Sequence, residues 1–539
     1  MAAETNPSLS RWPRQIKYIV GNEACERFSY YGMRSILAGY ITGEVARGGL
    51  GQSPDVSTEV MHLFVFVNYF MPLLGAWLSD KIIGRYRTIL WVSLFYCAGH
   101  GVLACSDFAG GVHGKMMCLF IGLGLIAFGS GGIKPCVSAF VGDQFKPEQS
   151  DLLQKAYGAF YWSINLGSFF SFFAIPWVKN HRGYSAAFAV PGVLMAIATF
   201  IFWLGRKHYL NVPPSRETKS AGFFKVFWYA LNSKRQPGQS FWEPARNRFT
   251  EQEVAAAKSV GPILGLFALI PPFWSLFDQT NSTWVLQGKK MLEFRLGEIS
   301  AFQPLLSYWT LISICFGLAL FVGLLVLIFK KKSALGYLNT ILLGAAAIIL
   351  SALLGWFISY LPEYTIGNEQ MQSMNPFLVM ILVPILTLLV YPRVGRLASP
   401  LRRMSAGMFI AASSFLVVAW LQRQIDAGHQ LSVLWQIIPY IILTTAEVLI
   451  STTGLEFAFR EAAPEMKSLI MSFWLLTVAF GNLLVAVVTK IFSTPGNGEG
   501  SISAPRFVMY AGLTFAVAIL FSIATTFYHY RDKAAAEGK

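Results

Sequence analysis

Charge is what this 539-residue chain has least of: Asp, Glu, Lys and Arg make up 13% of it, against 54% hydrophobic residues. A soluble domain is roughly one quarter charged, so a water-soluble fold is excluded. Cysteine is also scarce. Cys25, Cys97, Cys105, Cys118, Cys136 and Cys315 lie in or beside apolar segments, form no CxxC pair and have no His at metal-ligand spacing. They are expected to be packed membrane thiols, with no disulfide framework and no metal site. A clean apolar signal run is missing at the N-terminus, where residues 1–10 are polar and Glu23, Glu26 and Arg27 interrupt the first apolar segment. The first helix is therefore expected to be retained. No phosphate loop, HExxH motif or nucleophile elbow occurs. An enzyme with catalytic residues is not expected, and any uphill work must draw on an ion gradient.

Long apolar runs are what the chain has instead. A membrane-spanning helix needs roughly 20 predominantly apolar residues. Fourteen such helices are read, centred near residues 30, 67, 95, 128, 165, 195, 272, 316, 347, 386, 412, 445, 479 and 517. The fold class is an all-α polytopic membrane protein. The longest non-apolar stretch, with Pro213 and Pro214, separates six helices from eight. This gives an N-terminal six-helix bundle over 1–205, a cytoplasmic linker over 206–257 and a C-terminal bundle over 258–539, with two inserted helices near 303–361. Six plus six is the plan of transporters whose two bundles rock around a central site.

The net charge of +15 is an orientation signal rather than a sign of nucleic-acid binding. Arg11, Arg14, Lys17, Lys81, Arg85, Arg87, the central linker, Lys330 to Lys332, Arg393, Arg396, Arg402, Arg403, Arg531 and Lys533 all fall on one set of alternate loops. The stretch from Pro362 to Ser373 has no Lys or Arg. Positive loops mark the cytoplasmic side, so both termini are expected there.

Ionisable residues inside a membrane cost several kcal/mol each and normally pair, line a wet cavity or do work. In the first helix, spacings of three, four and seven put Arg27, Tyr30, Tyr31 and Arg34 on one face, with Glu23 and Glu26 close enough to pair with Arg27. His62 in the second helix, with Tyr69 two turns on, is either a packed core residue or a titrating one. In the fourth helix, Gly129, Gly131 and Gly132 suit close helix packing, and Lys134 needs a counter-charge. Asp278 in the seventh helix is the natural candidate. Asn281, Ser282 and Thr283 form a glycosylation sequon by chance, since they read as membrane-buried. Glu447, with Asn165 and Asn375, adds polar groups at depth. Glu456 and Arg460, four apart, read as a structural or gating pair. Cations from the first half (Arg27, Arg34, Lys134) and a carboxylate from the second (Glu447) would suit a zwitterion.

At these motifs the chain resembles the proton-dependent oligopeptide transporter family of the major facilitator superfamily, over most of its length. The resemblance rests on the E-x-x-E-R-F-x-Y-Y-G string at Glu23–Gly32, the run Phe128–Phe140 continuing to Phe145, and Phe160–Ser168. It rests also on Phe273–Gln279, Ser373–Pro376 and Glu447–Glu456, with Lys467 and Ser468 beyond. The loop Gly75–Arg85 looks like the general facilitator loop motif. Three features depart from the family pattern. Cys136 stands for the usual Asn, Thr452 stands for the usual Pro, and the surplus helices fall between the seventh helix and the Asn375 helix.

The resemblance implies a proton-coupled symporter importing di- and tripeptides by alternating access. It is expected in the plasma membrane (the inner membrane if prokaryotic), monomeric, with no cofactor beyond the co-transported proton. Arg27, Arg34 and Lys134 would hold the peptide carboxylate. Asn165, Asn375 and Glu447 would hold its amino terminus, and Tyr30, Tyr31 and Tyr69 would line the pocket. Glu23, Glu26, His62 and Asp278 would serve proton coupling, with Lys134 and Asp278 forming a salt bridge that opens during transport. The alternative is the same fold carrying nitrate or another organic anion. A proton crossing 100 mV and one pH unit releases about 3.7 kcal/mol, enough for several-hundred-fold accumulation of a neutral zwitterion.

Overall fold

The computed structural model describes residues 13–145, 149–211, 213–214, 222–298, 364–395, 399–463, 466–493 and 500–530. In the first half, α1 runs Ile16–Thr42, α2 Pro54–Leu78, α3 Arg85–Ala104, α4 Gly111–Asp143 and α5 Ser150–Leu204. The 55-residue α5 is two helices in tandem, broken at Gly183, whose φ of 82° is open to glycine and costly to other residues,. A short helix, α6 (Phe223–Asn232), lies in the stretch read as a linker. Next come α7 (Glu251–Phe267), α8 (Pro271–Phe277) and α9 (Thr283–Gly288). Beyond residue 363 are α10 (Met374–Pro384), α11 (Pro400–Asp426), α12 (Ile437–Glu461), α13 (Lys467–Ile491) and α14 (Ala504–Thr526). All twelve helix centres read from the sequence that fall among the described residues lie in helical segments. The two near 316 and 347 lie outside the described residues, as does Cys315.

Local signals set the helix ends. Ser53 caps α2 by accepting from the Val56 N–H, with Pro54 at the first helical position,. Thr250 and Glu253 form a capping box on α7,, so this helix starts before the expected linker end at 257. Prolines mark the breaks. Pro271 and Pro272 follow a 44° bend between α7 and the α8–α9 segment, and Pro384 is followed by a π-helical turn, Ile385–Val390,.

Among the described residues, eight helices are long and apolar enough to cross a bilayer, and the bent pair makes a ninth. Their outer faces stay apolar: Trp77, Phe120 and Phe200 are each more than half exposed. Side chains of that size exposed on every side belong against lipid.

Glycines bring α4 close to its neighbours. A Cβ on Gly131 would stand 2.4 Å from the Asn68 carbonyl oxygen in α2, and one on Gly129 would stand 2.5 Å from the Tyr96 Cβ in α3. The glycine string thus packs helices as expected and fixes where Lys134 points. Across the halves, α2 runs along α13. Cys25, Cys97, Cys105, Cys118 and Cys136 are free thiols; Cys136 is buried, while Cys105 is exposed.

By its internal contacts the chain divides into two units: residues 1–290, 369–429 and 435–539, and residues 291–368 with 430–434. In the second, β1 (Phe294–Arg295) pairs antiparallel with β2 (Thr365–Ile366), Phe294 opposite Ile366. The Leu292 N–H donates to the Leu431 carbonyl at 2.8 Å.

Candidate functional site

The charged residues of α1 fall into two groups two helical turns apart. Near its start, Arg27 Nε lies 2.6 Å from Glu23 Oε1 and 3.2 Å from Glu26 Oε2. The other Glu26 oxygen accepts from Ser130 Oγ of α4 at 2.9 Å. This is the local pairing that the sequence spacing allowed, and all of it lies within the first half.

Arg34 belongs to a different network. Its Nη2 donates to Asp278 Oδ1 at 2.7 Å, and both side chains are buried. The other Asp278 oxygen accepts from Asn482 Nδ2 at 2.7 Å. The Asn482 carbonyl oxygen therefore faces His62 Nδ1, 2.7 Å away, so that ring nitrogen carries the proton. His62 Nε2 then accepts from Ser282 Oγ at 2.8 Å. Four helical segments meet here. The 3₁₀ turn Asp278–Asn281 between α8 and α9 presents Asp278, and a broken helix at depth is where transporters place polar groups. Gly481 lets α13 come close to α8, since a Cβ there would sit 2.6 Å from the Pro271 carbonyl. That approach brings Asn482 within reach.

The expected Lys134–Asp278 salt bridge is not formed in this structure. Both Asp278 oxygens are occupied, by Arg34 and Asn482. Lys134 Nζ instead sits over the rings of Tyr69 at 4.3 Å and Tyr30 at 4.6 Å, with no hydrogen-bond partner among the described residues. Two aromatic faces stabilise a cation that charge pairing alone would have sent elsewhere.

A cavity of about 240 Å³ opens beside these groups. Its wall includes Tyr31, Arg34, Tyr69 and Asn165 from the first half and Asp278, Asn375 and Glu447 from the second. Asn375 Nδ2 donates to Glu447 Oε2 at 2.6 Å. Asn165 Nδ2 donates back to the Tyr161 carbonyl at 3.0 Å. Trp274, Phe277 and Phe172 supply apolar wall. Seven of the thirteen sequence-predicted site residues therefore share one cavity.

Six do not reach the wall. Tyr30 is buried, stacked edge-on against Tyr31, with its hydroxyl accepting from Asn68; it supports the pocket rather than lining it. Arg27 is held by Glu23 and Glu26, and Lys134 lies behind Tyr69. Glu23, Glu26 and His62 act at one remove. Thr452, on the wall, donates to the Val448 carbonyl at 2.7 Å, so the helix continues where Pro was expected. The sequon residue Asn281 is buried on the same wall. Glu456 accepts from Arg403 at 3.0 Å besides lying 3.4 Å from Arg460. At the start of α3, Arg85 donates to both carboxylate oxygens of Asp143 at 2.5 and 2.6 Å.

Sequence reasoning missed Asn482, Ser282 and Lys179. Lys179 Nζ contacts both oxygens of Glu369 at 2.6 Å, joining α5 to the turn before α10. A lone Asn in the apolar run of α13 was the available signal.

An all-helical polytopic frame with a cavity lined by charges from both halves is a membrane transporter of the major facilitator fold. The chain matches the POT family, PTR2, over residues 86–361 and 357–503. It is 28% identical to solute carrier family 15 member 2 of Mus musculus, over 97% of this chain and 91% of that protein. It is 32% identical to the Homo sapiens member 2, over 77% of this chain and 50% of that protein. Among solved structures it resembles an auto-inhibited POT family peptide transporter (33% identity, TM-score 0.76, 97% of this chain and 98% of the other). It equally resembles the POT family transporter PepTSo (35% identity, TM-score 0.76, 97% and 99%). The chain belongs to the POT family, the proton-dependent oligopeptide transporters.

Proposed function

We propose that this protein is a proton-coupled symporter that imports di- and tripeptides by alternating access. The observation that carries the reading is a single cavity with Arg34 on its first-half wall and the Glu447–Asn375 pair on its second-half wall. A peptide's ammonium complements Glu447. Its carboxylate needs a cation, and Arg34 is the one among the described residues of the wall. Asp278 occupies that cation in this structure. Two carboxylates sharing one buried guanidinium would repel, so peptide binding at Arg34 favours a proton on Asp278. Asn482 extends the same network to His62, and Glu23, Glu26 and Arg27 form a second proton-responsive cluster. The name of the solved structure it resembles, an auto-inhibited POT family peptide transporter, supports the substrate class.

The orientation follows the positive loops, with both termini cytoplasmic in the plasma membrane. Residues 1–205 and 258–539 are the two moving bundles, and the protein acts as a monomer.

The test is uptake of labelled dialanine into proteoliposomes with and without an inward proton gradient. Gradient-dependent accumulation, competed by other dipeptides, is expected. Exchange without accumulation would overturn coupling, and no uptake by folded protein would favour nitrate or a larger organic anion. Glu447→Gln should raise the KM for dipeptides by roughly tenfold or more, the loss of one charged hydrogen bond. Unchanged transport by that variant would also favour an anion lacking an amine.

A further inference from the structure

The short helix α6 has two apolar faces, and among the described residues only one of them is well covered. Phe223, Val226 and Ala230 are buried. Phe224, Trp228 and Leu231, spaced four and three apart, form a second stripe that is 62%, 66% and 45% exposed. The Phe223 and Phe224 rings lie 6.4 and 6.1 Å from Phe473, near the start of α13 at Lys467. This contact places α6 beside the point where a membrane-crossing helix enters the apolar layer. Phe227, Phe241 and Trp242 cluster behind it, so the outward stripe stands on a packed base.

The charge around the stripe is mostly positive, with Arg246 also 3.7 Å from Glu251. Lys225, Lys234, Arg235, Arg246 and Arg248 are all exposed, and Glu243 is the one carboxylate between Phe223 and Thr250. Lys467 adds a cation at the foot of α13. An amphipathic helix with Trp and Phe on one side and lysines and arginines around it lies in the plane of a membrane interface. Clustered basic residues beside a membrane helix attract anionic headgroups. The bilayer is already at hand, because α13 crosses it.

We propose that the segment from Gly222 to Phe249 is an interfacial anchor. Its Phe224–Trp228–Leu231 stripe would enter the acyl boundary of the inner leaflet, while its cations bind anionic phospholipid. The partner is the anionic lipid surface itself, held where the chain passes from the first half to the second.

The test uses the full chain in vesicles of phosphatidylcholine and phosphatidylglycerol, with bromine on the acyl chains of one lipid or the other. Subtracting the fluorescence of Trp228→Phe from that of the unaltered protein isolates Trp228. The expected result is quenching of that signal by brominated lipid, several-fold stronger when the brominated lipid is phosphatidylglycerol at equal mole fraction. The triple variant Lys225→Gln, Lys234→Gln, Arg235→Gln should keep its melting temperature and lose the preference. Equal quenching by both lipids would overturn the anionic selectivity. Quenching of Trp228 by aqueous acrylamide but by neither lipid would overturn the anchor. Protection from acrylamide and lipid alike would mean that protein, a second copy or another chain, covers the stripe.

Discussion

The Glu23–Glu26–Arg27 cluster and the Arg34–Asp278–Asn482–His62 network grow from the same helix, yet they join different things. In the first, partners sit one turn apart or on the neighbouring α4, and every contact stays within the first half. In the second, Arg34 and His62 reach the turn between α8 and α9, and α13, in the second half. The local cluster can change its protonation without moving any helix. The cross-half network cannot lose a bond without loosening the seam between the halves. One cluster is suited to sensing protons, the other to turning that signal into motion.

Breaking the cross-half network at its centre should have the largest effect. Arg34→Ala leaves Asp278 buried and unpaired, a loss of about 3–5 kcal/mol, seen as a lower melting temperature in detergent and abolished uptake. Adding Asp278→Asn should restore much of the stability and none of the uptake. If the single variant melts like the parent, the network does not hold the seam.

Breaking the local cluster should spare structure and remove coupling. Glu23→Gln with Glu26→Gln is expected to retain exchange of labelled for unlabelled peptide while accumulation against a gradient disappears. Continued accumulation would show that the proton enters elsewhere.

Asn482 sharpens the contrast by pH. Asn482→Asp sets a second carboxylate against Asp278. Because repulsion requires both groups ionised, its uptake defect should be worst at high pH and shrink as pH falls. Asn482→Ala removes one hydrogen bond to a charged group, about 1–3 kcal/mol, without that pH signature. Equal defects at all pH values in both variants would make Asn482 a packing residue only.

The smallest effect is expected at the rim. Lys179→Gln removes the ion pair with the buried Glu369 but keeps a hydrogen-bond donor there, a loss of about 1 kcal/mol. It should slightly raise the labelling rate of a cysteine placed on the cavity wall.

The first cluster was legible because helical periodicity fixes which neighbours meet, and Glu23, Glu26 and Arg27 needed nothing more. Sequence spacing also located the helices, since apolar runs of span length have no other stable home. Contacts between distant segments were not legible. Lys134 was assigned to Asp278 by charge, but its position is decided by two tyrosine rings that meet only after α2 and α4 pack. Asn482 was silent because one polar residue in an apolar run does not say which way it faces. The amphipathic α6 was passed over because its ten residues sit in a basic stretch that reads as linker.

The glycines of α4 have a mechanical consequence. At Gly129 and Gly131 the main chain of one helix rests on its neighbours with no side chain between them to tilt or compress. Such joints transmit force as a keyed shaft does. A displacement imposed where Arg34 meets Asp278 is expected to move α2, α3 and α4 together rather than to be absorbed between them. Gly131→Ala should therefore act as a wedge, altering how far the machine turns rather than what it binds.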